Sequence, residues 1–208
     1  MLQGLYAITD ATLTPDATLL DQVEQALRGG AAIVQYRDKS DQADQRLRQA
    51  KALAQLCRRY QRPLLINDDV QLALDSGADG VHLGQTDGSL EQARQHLGSD
   101  AIIGITCHDS LELAQQAQQG GADYVAFGAF FVSATKPDAR PAPMKLLAEA
   151  KQQLSVPIVA IGGINRDNAG QLIEQGADMI AVIGDLFGHA DVQASAQCLN
   201  ACFDAKSP

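Results

Sequence analysis

Four times in this chain a Gly-Ala pair stands directly before a short apolar run: "GGAAIVQYR", "SGADGVHLG", "GGADYVAFG" and "QGADMIAVIG". Glycine takes the left-handed conformation that ends a helix. The run behind it is short and rich in β-branched residues, as in a strand buried on both faces. Each unit therefore reads as a helix, a glycine stop and a parallel strand.

Other short apolar runs lie between these units: "LYAIT", "PLLIND", "AIIGIT" and "PIVAIGG". Each leads into a polar, Ala- and Gln-rich segment with helical spacing, such as the Val23, Ala26 and Leu27 stripe or Leu47, Ala50, Leu53, Ala54 and Cys57. Strands are predicted near residues 5–9, 33–37, 64–67, 80–84, 102–106, 124–128, 157–161 and 179–183. Strands that alternate with helices imply a parallel sheet with right-handed crossovers. The expected fold is α/β: one (β/α)8 TIM-barrel domain over residues 1–208. An open doubly wound sheet is the alternative, and the even spacing of the four Gly-Ala units favours the closed barrel. The longest irregular segment, "VSATKPDARPAP", reads as a functional lid.

A hydrophobic content of 46 % is enough for a substantial core. With 16 basic and 25 acidic side chains, the net charge of −9 argues against a nucleic-acid partner. It leaves room for a local basic pocket. No apolar run approaches the ~20 residues that span a bilayer, so no membrane role is expected. The start "MLQGLYAITD" has no basic region followed by a long apolar stretch, as a signal peptide would. Cys57, Cys107, Cys198 and Cys202 form no CxxC pair. Cys198 and Cys202 fall one helical turn apart, where plain packing outweighs a metal or a disulfide. A cytoplasmic protein with reduced thiols is expected.

In a barrel of this kind the active site lies at the carboxyl ends of the strands. There the chain places Thr9-Asp10, Gln35 to Lys39, Asn67-Asp68-Asp69, His82 to Asp87, Thr106-Cys107-His108, Gly128, Gly162-Gly163 and Gly184-Asp185. Alternation puts Gln35, Arg37 and Lys39 on one face if the second strand runs that far, with Val34 and Tyr36 against the helices. Two cations crowded at one rim repel unless an anion joins them. Asp38 points the other way, toward a structural partner. Asp69 reads as a helix cap. Asp68 and Asp87 suit either caps or a hard cation such as Mg2+, which binds through one or two carboxylates plus substrate phosphates.

The glycines after strands seven and eight lie where such barrels bind a phosphate through backbone N–H groups. Thr135 and Lys136 offer a hydroxyl and an ammonium to an anion. A phosphate there and a metal-bound diphosphate at strands two to four describe a two-substrate transferase. His82 reads as a hydrogen-bonded rim or core residue, His96 as helix surface, His189 as loop, and His108 as a possible substrate contact. No spacing supports zinc or serine-hydrolase chemistry.

These motifs resemble the thiamine phosphate synthase family: "QYRDK", "LLIND", "DGVHLGQTD", "IGITCHDS", "SATK" and "VAIGGIN" run in order from Leu5 to Gly184. The resemblance implies joining hydroxymethylpyrimidine diphosphate to a thiazole phosphate with Mg2+. It implies a dissociative reaction in which diphosphate leaves before the thiazole nitrogen attacks. By the same carry-over Gln35, Tyr36, Arg37, Asp38, Lys39, Asn67, Thr106 and Lys136 hold the pyrimidine diphosphate, with Arg37, Lys39, Thr106 and Lys136 as the catalytic set. Asp68 and Asp87 bind Mg2+. Ser133, Ala134 and Thr135 contact the thiazole, and Gly163, Ile183 and Gly184 its phosphate. The implied partners are these small molecules, and a homo-oligomer is compatible with them.

Three positions depart from the family pattern. Thr106 and Gly184 stand where Ser is usual, and Val132-Ser133 stands where Pro-Thr is usual. The rival reading, thiazole tautomerase, has the same fold and His108 as its acid-base residue. A non-catalytic barrel that senses a phosphorylated metabolite is the other. Neither needs the set Arg37, Lys39, Asp68 and Asp87.

Overall fold

The fold is taken from a computed structural model, which describes residues 2–132 and 141–204. Eight strands, β1 (Gly4–Ile8), β2 (Ile33–Tyr36), β3 (Leu64–Asn67), β4 (Gly80–Leu83), β5 (Ile102–Thr106), β6 (Tyr124–Gly128), β7 (Ile158–Ile161) and β8 (Met179–Val182), close into one parallel barrel in sequence order. Helices α1 (Leu19–Arg28), α2 (Ala43–Arg59), α3 (Val70–Ser76), α4 (Leu90–Leu97), α5 (Leu111–Gln119), α6 (Lys145–Gln153) and α7 (Ala169–Glu174) follow the first seven strands in turn. The eighth crossover is split into a short α8 (Gly184–Phe187) and the longer α9 (Val192–Asp204). The sequence gives no sign of that split, because "GDLF" continues the apolar pattern of the strand before it. No helix among the described residues is long and apolar enough to cross a membrane.

The four Gly-Ala units do what their sequence predicts. Gly30, Gly77, Gly121 and Gly176 all have positive φ. The next residue, Ala31, Ala78, Ala122 or Ala177, donates its N–H five residues back, at 2.9–3.2 Å, to Ala26, Ala73, Ala117 or Leu172. That bond satisfies a carbonyl that the end of the helix leaves free. In three units an Asp follows. Asp79, Asp123 and Asp178 accept the N–H of Leu64, Ile103 and Ile158 at the start of the preceding strand, at 2.7–2.9 Å. The motif thus ends a helix and ties two neighbouring strands at the end of the barrel remote from the rim.

Side chains divide into two layers. Val34, Tyr36, Leu64, Ile66, Val81 and Phe127 face the helices. Tyr6, Ile8, Ile33, Leu65, Tyr124, Val159 and Met179 fill the interior. The interior is packed, so chemistry is confined to its carboxyl-end rim.

The four cysteines are free. Burial pushes the Cys57 and Cys107 thiols up to about 12, and the thiolate is the reactive form. Alkylation of the native protein at pH 8 should mark exposed Cys198 and spare Cys57 and Cys107 until denaturant is added. Peptide mass mapping checks this, and prompt labelling of Cys57 would contradict the packing described.

Candidate active site

Strand β2 ends at Tyr36, so the alternation expected through Lys39 stops there. Gln35 does face the interior, but it lies below the rim, 2 % exposed, and its amide donates to the Tyr6 hydroxyl at 2.7 Å. Tyr36 stands on the helix side, where its hydroxyl donates to Gln49 and also lies 3.2 Å from Asp38. Asp38 has the structural partners expected of it: this phenol and the Ser40 N–H at 2.7 Å. The two cations have different surroundings. Arg37 donates its backbone N–H to the Thr9 hydroxyl at 2.9 Å and lines a small cavity of about 30 Å3 with Thr9, Asp38 and Gln49. Its guanidinium makes no ion pair with any described residue. Lys39 pairs with Asp68.

A cavity of about 470 Å3 opens at the ends of β2, β3 and β4, lined among others by Lys39, Arg46, Asn67, Asp68, Asp69 and Asp87. Asp68 has φ +63°, a left-handed conformation that short polar side chains tolerate. Its backbone N–H donates to the His82 carbonyl at 2.8 Å, which pins β3 to β4 at the rim. Its carboxylate accepts from the Asn67 amide at 2.6 Å. Asp87 accepts from the Gly84 N–H at 3.0 Å. Desolvation first, then its hydrogen bond to Asp68 and that residue's charge, raise the Asp87 carboxyl above its usual range. Asp69 is the cap expected of it: it accepts the Leu72 N–H at 2.9 Å and takes the Arg46 guanidinium at 2.8 Å.

The pair Asp68–Asp87 fits a hard divalent cation. Two carboxylates in contact repel unless a proton or a cation lies between them, and both offer oxygen donors. Among the described residues no cluster of three or more His, Cys, Asp or Glu stands ready for a metal. A divalent cation held by this pair would take its remaining ligands from substrate and water oxygens, as is usual for Mg2+.

Ser40 and Arg46 escaped the sequence reading. The Ser40 hydroxyl and the Arg46 Nε are buried, line or border the same cavity, and have no hydrogen-bond partner among the described residues. Arg46 lies on α2, one turn in, and only the fold shows that this turn overhangs the end of β3.

Below the rim runs a polar chain. The Tyr6 and Tyr124 hydroxyls lie 2.8 Å apart, His82 Nδ1 lies 2.8 Å from Tyr124, and His82 Nε2 lies 2.8 Å from the Thr106 hydroxyl. The Thr106 carbonyl accepts from Gln85. Thr106 and Gln35 are thus joined through the barrel, and His82 is the hydrogen-bonded residue expected. Its burial pushes the imidazole down to about 4, with the charge of Asp68 pulling the other way. An unfolded histidine titrates near 6.5. Between these values the unfolded chain binds more protons, so stability rises with pH. The contribution, up to about 3 kcal/mol, is complete above pH ~6.5 and is lost as pH falls toward about 4. The melting temperature of the His82→Gln variant should therefore fall less between pH 7 and 4.5 than that of the parent. Equal falls would contradict the assignment.

Across the mouth, Gly163 (φ +62°) turns the chain after β7. A Cβ there would meet the Val132 carbonyl at 2.6 Å, whereas one at Gly184 would meet open space. Ile183 and Gly184 start α8. Exposed His108 follows β5 with φ +50°, and exposed His96 bonds the Gln92 carbonyl on its own helix at 2.7 Å. Ser133, Ala134, Thr135 and Lys136, and with them residues 133–140 of the expected lid, lie outside the described residues.

Fold and rim together define the class: a (β/α)8-barrel enzyme whose polar groups gather at the carboxyl ends of its strands. Residues 5–186 match the family model described as TMP-TENI, thiamine monophosphate synthase. The thiamine-phosphate synthase of Marinobacter nauticus is 58% identical over 207 residues, 99% of this chain and 93% of that protein. That of Alcanivorax borkumensis is 54% identical over 205 residues, 97% and 94% of the two. The solved thiamine phosphate pyrophosphorylase of Pyrococcus furiosus superposes with a TM-score of 0.88 at 36% identity, over 98% of this chain and 96% of that one. The chain belongs to the thiamine monophosphate synthase family.

Proposed function

We propose that this chain is a transferase that couples hydroxymethylpyrimidine diphosphate with a thiazole phosphate, forming thiamine phosphate and releasing diphosphate. Membership of the family and the names of the relatives support the reaction. The observation that carries the site is the meeting of Asp68, Asp87 and Lys39 at one cavity; Arg37, which has no ion pair among the described residues, lines the small neighbouring cavity that shares Asp38 with it.

In this reading Asp68 and Asp87 would hold Mg2+, which would neutralise charge on the diphosphate. Lys39 and Arg37 stabilise the same charge as the C–O bond breaks. Asn67 orients the Asp68 carboxylate through its 2.6 Å hydrogen bond. Gln35 and Thr106, below the rim, take the pyrimidine ring. Ser133, Ala134 and Thr135 contact the thiazole, Lys136 reaches the diphosphate, and Gly163, Ile183 and Gly184 offer backbone N–H groups to the thiazole phosphate. No side chain needs to form a covalent bond, because the work is electrostatic stabilisation and exclusion of water.

The test mixes both substrates with the protein and Mg2+, with a matched chelator control, and assays thiamine phosphate. Product with Mg2+ and none with chelator is expected. Isomerisation of the thiazole phosphate with no coupling in either tube would overturn the assignment in favour of the tautomerase.

A further inference from the structure

Between Gln35 and Thr106 runs a buried polar chain whose three middle members, Tyr6, Tyr124 and His82, have no role in the mechanism above. It spans five strands: Gln35 on β2, Tyr6 on β1, Tyr124 on β6, His82 on β4 and Thr106 on β5. Tyr6 and Tyr124 are at most 1 % exposed. Buried hydroxyl protons require acceptors, and with the Gln35 amide N–H as donor this requirement sets the direction of every bond.

Gln35 donates to the Tyr6 oxygen. The Tyr6 proton then has one acceptor within reach among the described residues, the Tyr124 oxygen. The Tyr124 proton must in turn go to His82 Nδ1. That leaves the imidazole proton on Nε2, from which it is donated to the Thr106 hydroxyl oxygen. The opposite tautomer, or a doubly protonated ring, would make Nδ1 a donor to Tyr124. Tyr124 would then donate to Tyr6, and the Tyr6 proton would be stranded. With the Gln35 amide N–H as donor to Tyr6, only this direction satisfies all the partners, and it leaves the Thr106 proton without an acceptor among the described residues.

We infer that Tyr6, Tyr124 and His82 are positioning residues which, as a one-way hydrogen-bond wire, hold the Thr106 hydroxyl as a donor toward the pyrimidine. Such a donor favours a substrate atom that carries a lone pair, as an aromatic ring nitrogen does, and disfavours C–H at the same place. The β-branched Thr106 suits the task, since its χ1 is stiffer than that of the Ser usual there. At the other end of the wire, Gln35 commits one amide N–H to Tyr6 and keeps its carbonyl oxygen for the ring. This inference rests on the proposed placement of the pyrimidine at Gln35 and Thr106.

Steady-state kinetics on the full chain with Mg2+ and saturating thiazole phosphate test it. Each variant is assayed with hydroxymethylpyrimidine diphosphate and with analogues in which one ring nitrogen at a time is replaced by C–H. Tyr124→Phe and His82→Leu should each raise the KM for the pyrimidine diphosphate about tenfold, near the worth of one lost hydrogen bond, with the KM for thiazole phosphate unchanged. Both should lose the preference for the true pyrimidine over one of the analogues. His82→Gln keeps an N–H donor near the Nε2 position and should stay within about threefold of the parent. This Leu/Gln contrast holds even if Tyr124→Phe fails to fold. If Thr106→Val raises KM while Tyr124→Phe and His82→Leu keep both the parental KM and the ring preference, the wire is merely structural and the inference is overturned. If Thr106→Val itself changes nothing, the placement of the pyrimidine is wrong and the inference falls with it.

Discussion

Asp68→Asn should lower the coupling rate by about a hundred- to a thousandfold, the usual cost of removing one electrostatic group aimed at developing charge. Thermal stability should barely move. Asn tolerates the left-handed backbone at φ +63° that Asp68 adopts. The ion pair lost with it has a half-exposed Lys39, and pairs of that kind contribute about 1 kcal/mol or less. The change also relieves the repulsion between Asp68 and Asp87. Activity at saturating Mg2+ and a thermal melt, taken together, decide the matter. A parental rate with a parental melt would remove Asp68 from the site, whereas a low rate with a collapsed melt would assign it a role in folding.

The second large effect is expected at Gly104. A Cβ at this position would lie 1.9 Å from Cζ of Tyr124 and 2.3 Å from its hydroxyl oxygen. The phenol is wholly buried and cannot swing aside. Gly104→Ala must therefore displace the ring that joins Tyr6 to His82. Overpacking a tight core costs about 1–3 kcal/mol, and each buried polar group left without a partner costs a similar amount. A loss of about 4 kcal/mol is expected, equivalent to a fall in melting temperature of roughly 10 °C for a chain of this length. Coupling should fall with it even well below the melt, because His82 and Thr106 lose their alignment. A melt within 2 °C of the parent, what a loss of about 0.5–1 kcal/mol gives, would show that the interior tolerates the methyl group.

Gly104 also shows where sequence reading stops. "AIIGIT" reads as an ordinary strand with one glycine, and nothing local explains the gap in its apolar run. The explanation is Tyr124 on the next strand, which fills the space. The Gly-Ala units differ in kind. Their meaning lies within six residues, since a left-handed glycine and a bond five residues back are local geometry. The strands were accordingly legible to within a residue, and so was the capping role of Asp69. Alternation failed past Tyr36 because it holds only while the chain stays in the sheet. Arg37, Asp38 and Lys39 therefore take directions set by Thr9, Ser40 and Asp68.

The chain's own order of residues determined the number of units, their parallel sense and where each strand ends at the rim, because helix stops, strand periods and turn glycines each act over a few neighbouring positions. Tertiary structure alone decided that Asp68 meets Asp87, that Arg46 reaches over to Asp69, and that Tyr6 finds Tyr124 at a separation of 118 residues. The physical reason is closure. A sheet that returns on itself brings β1 beside β8 and sets β4, β5 and β6 across the interior from β1 and β2, at sequence distances with no period to reveal them.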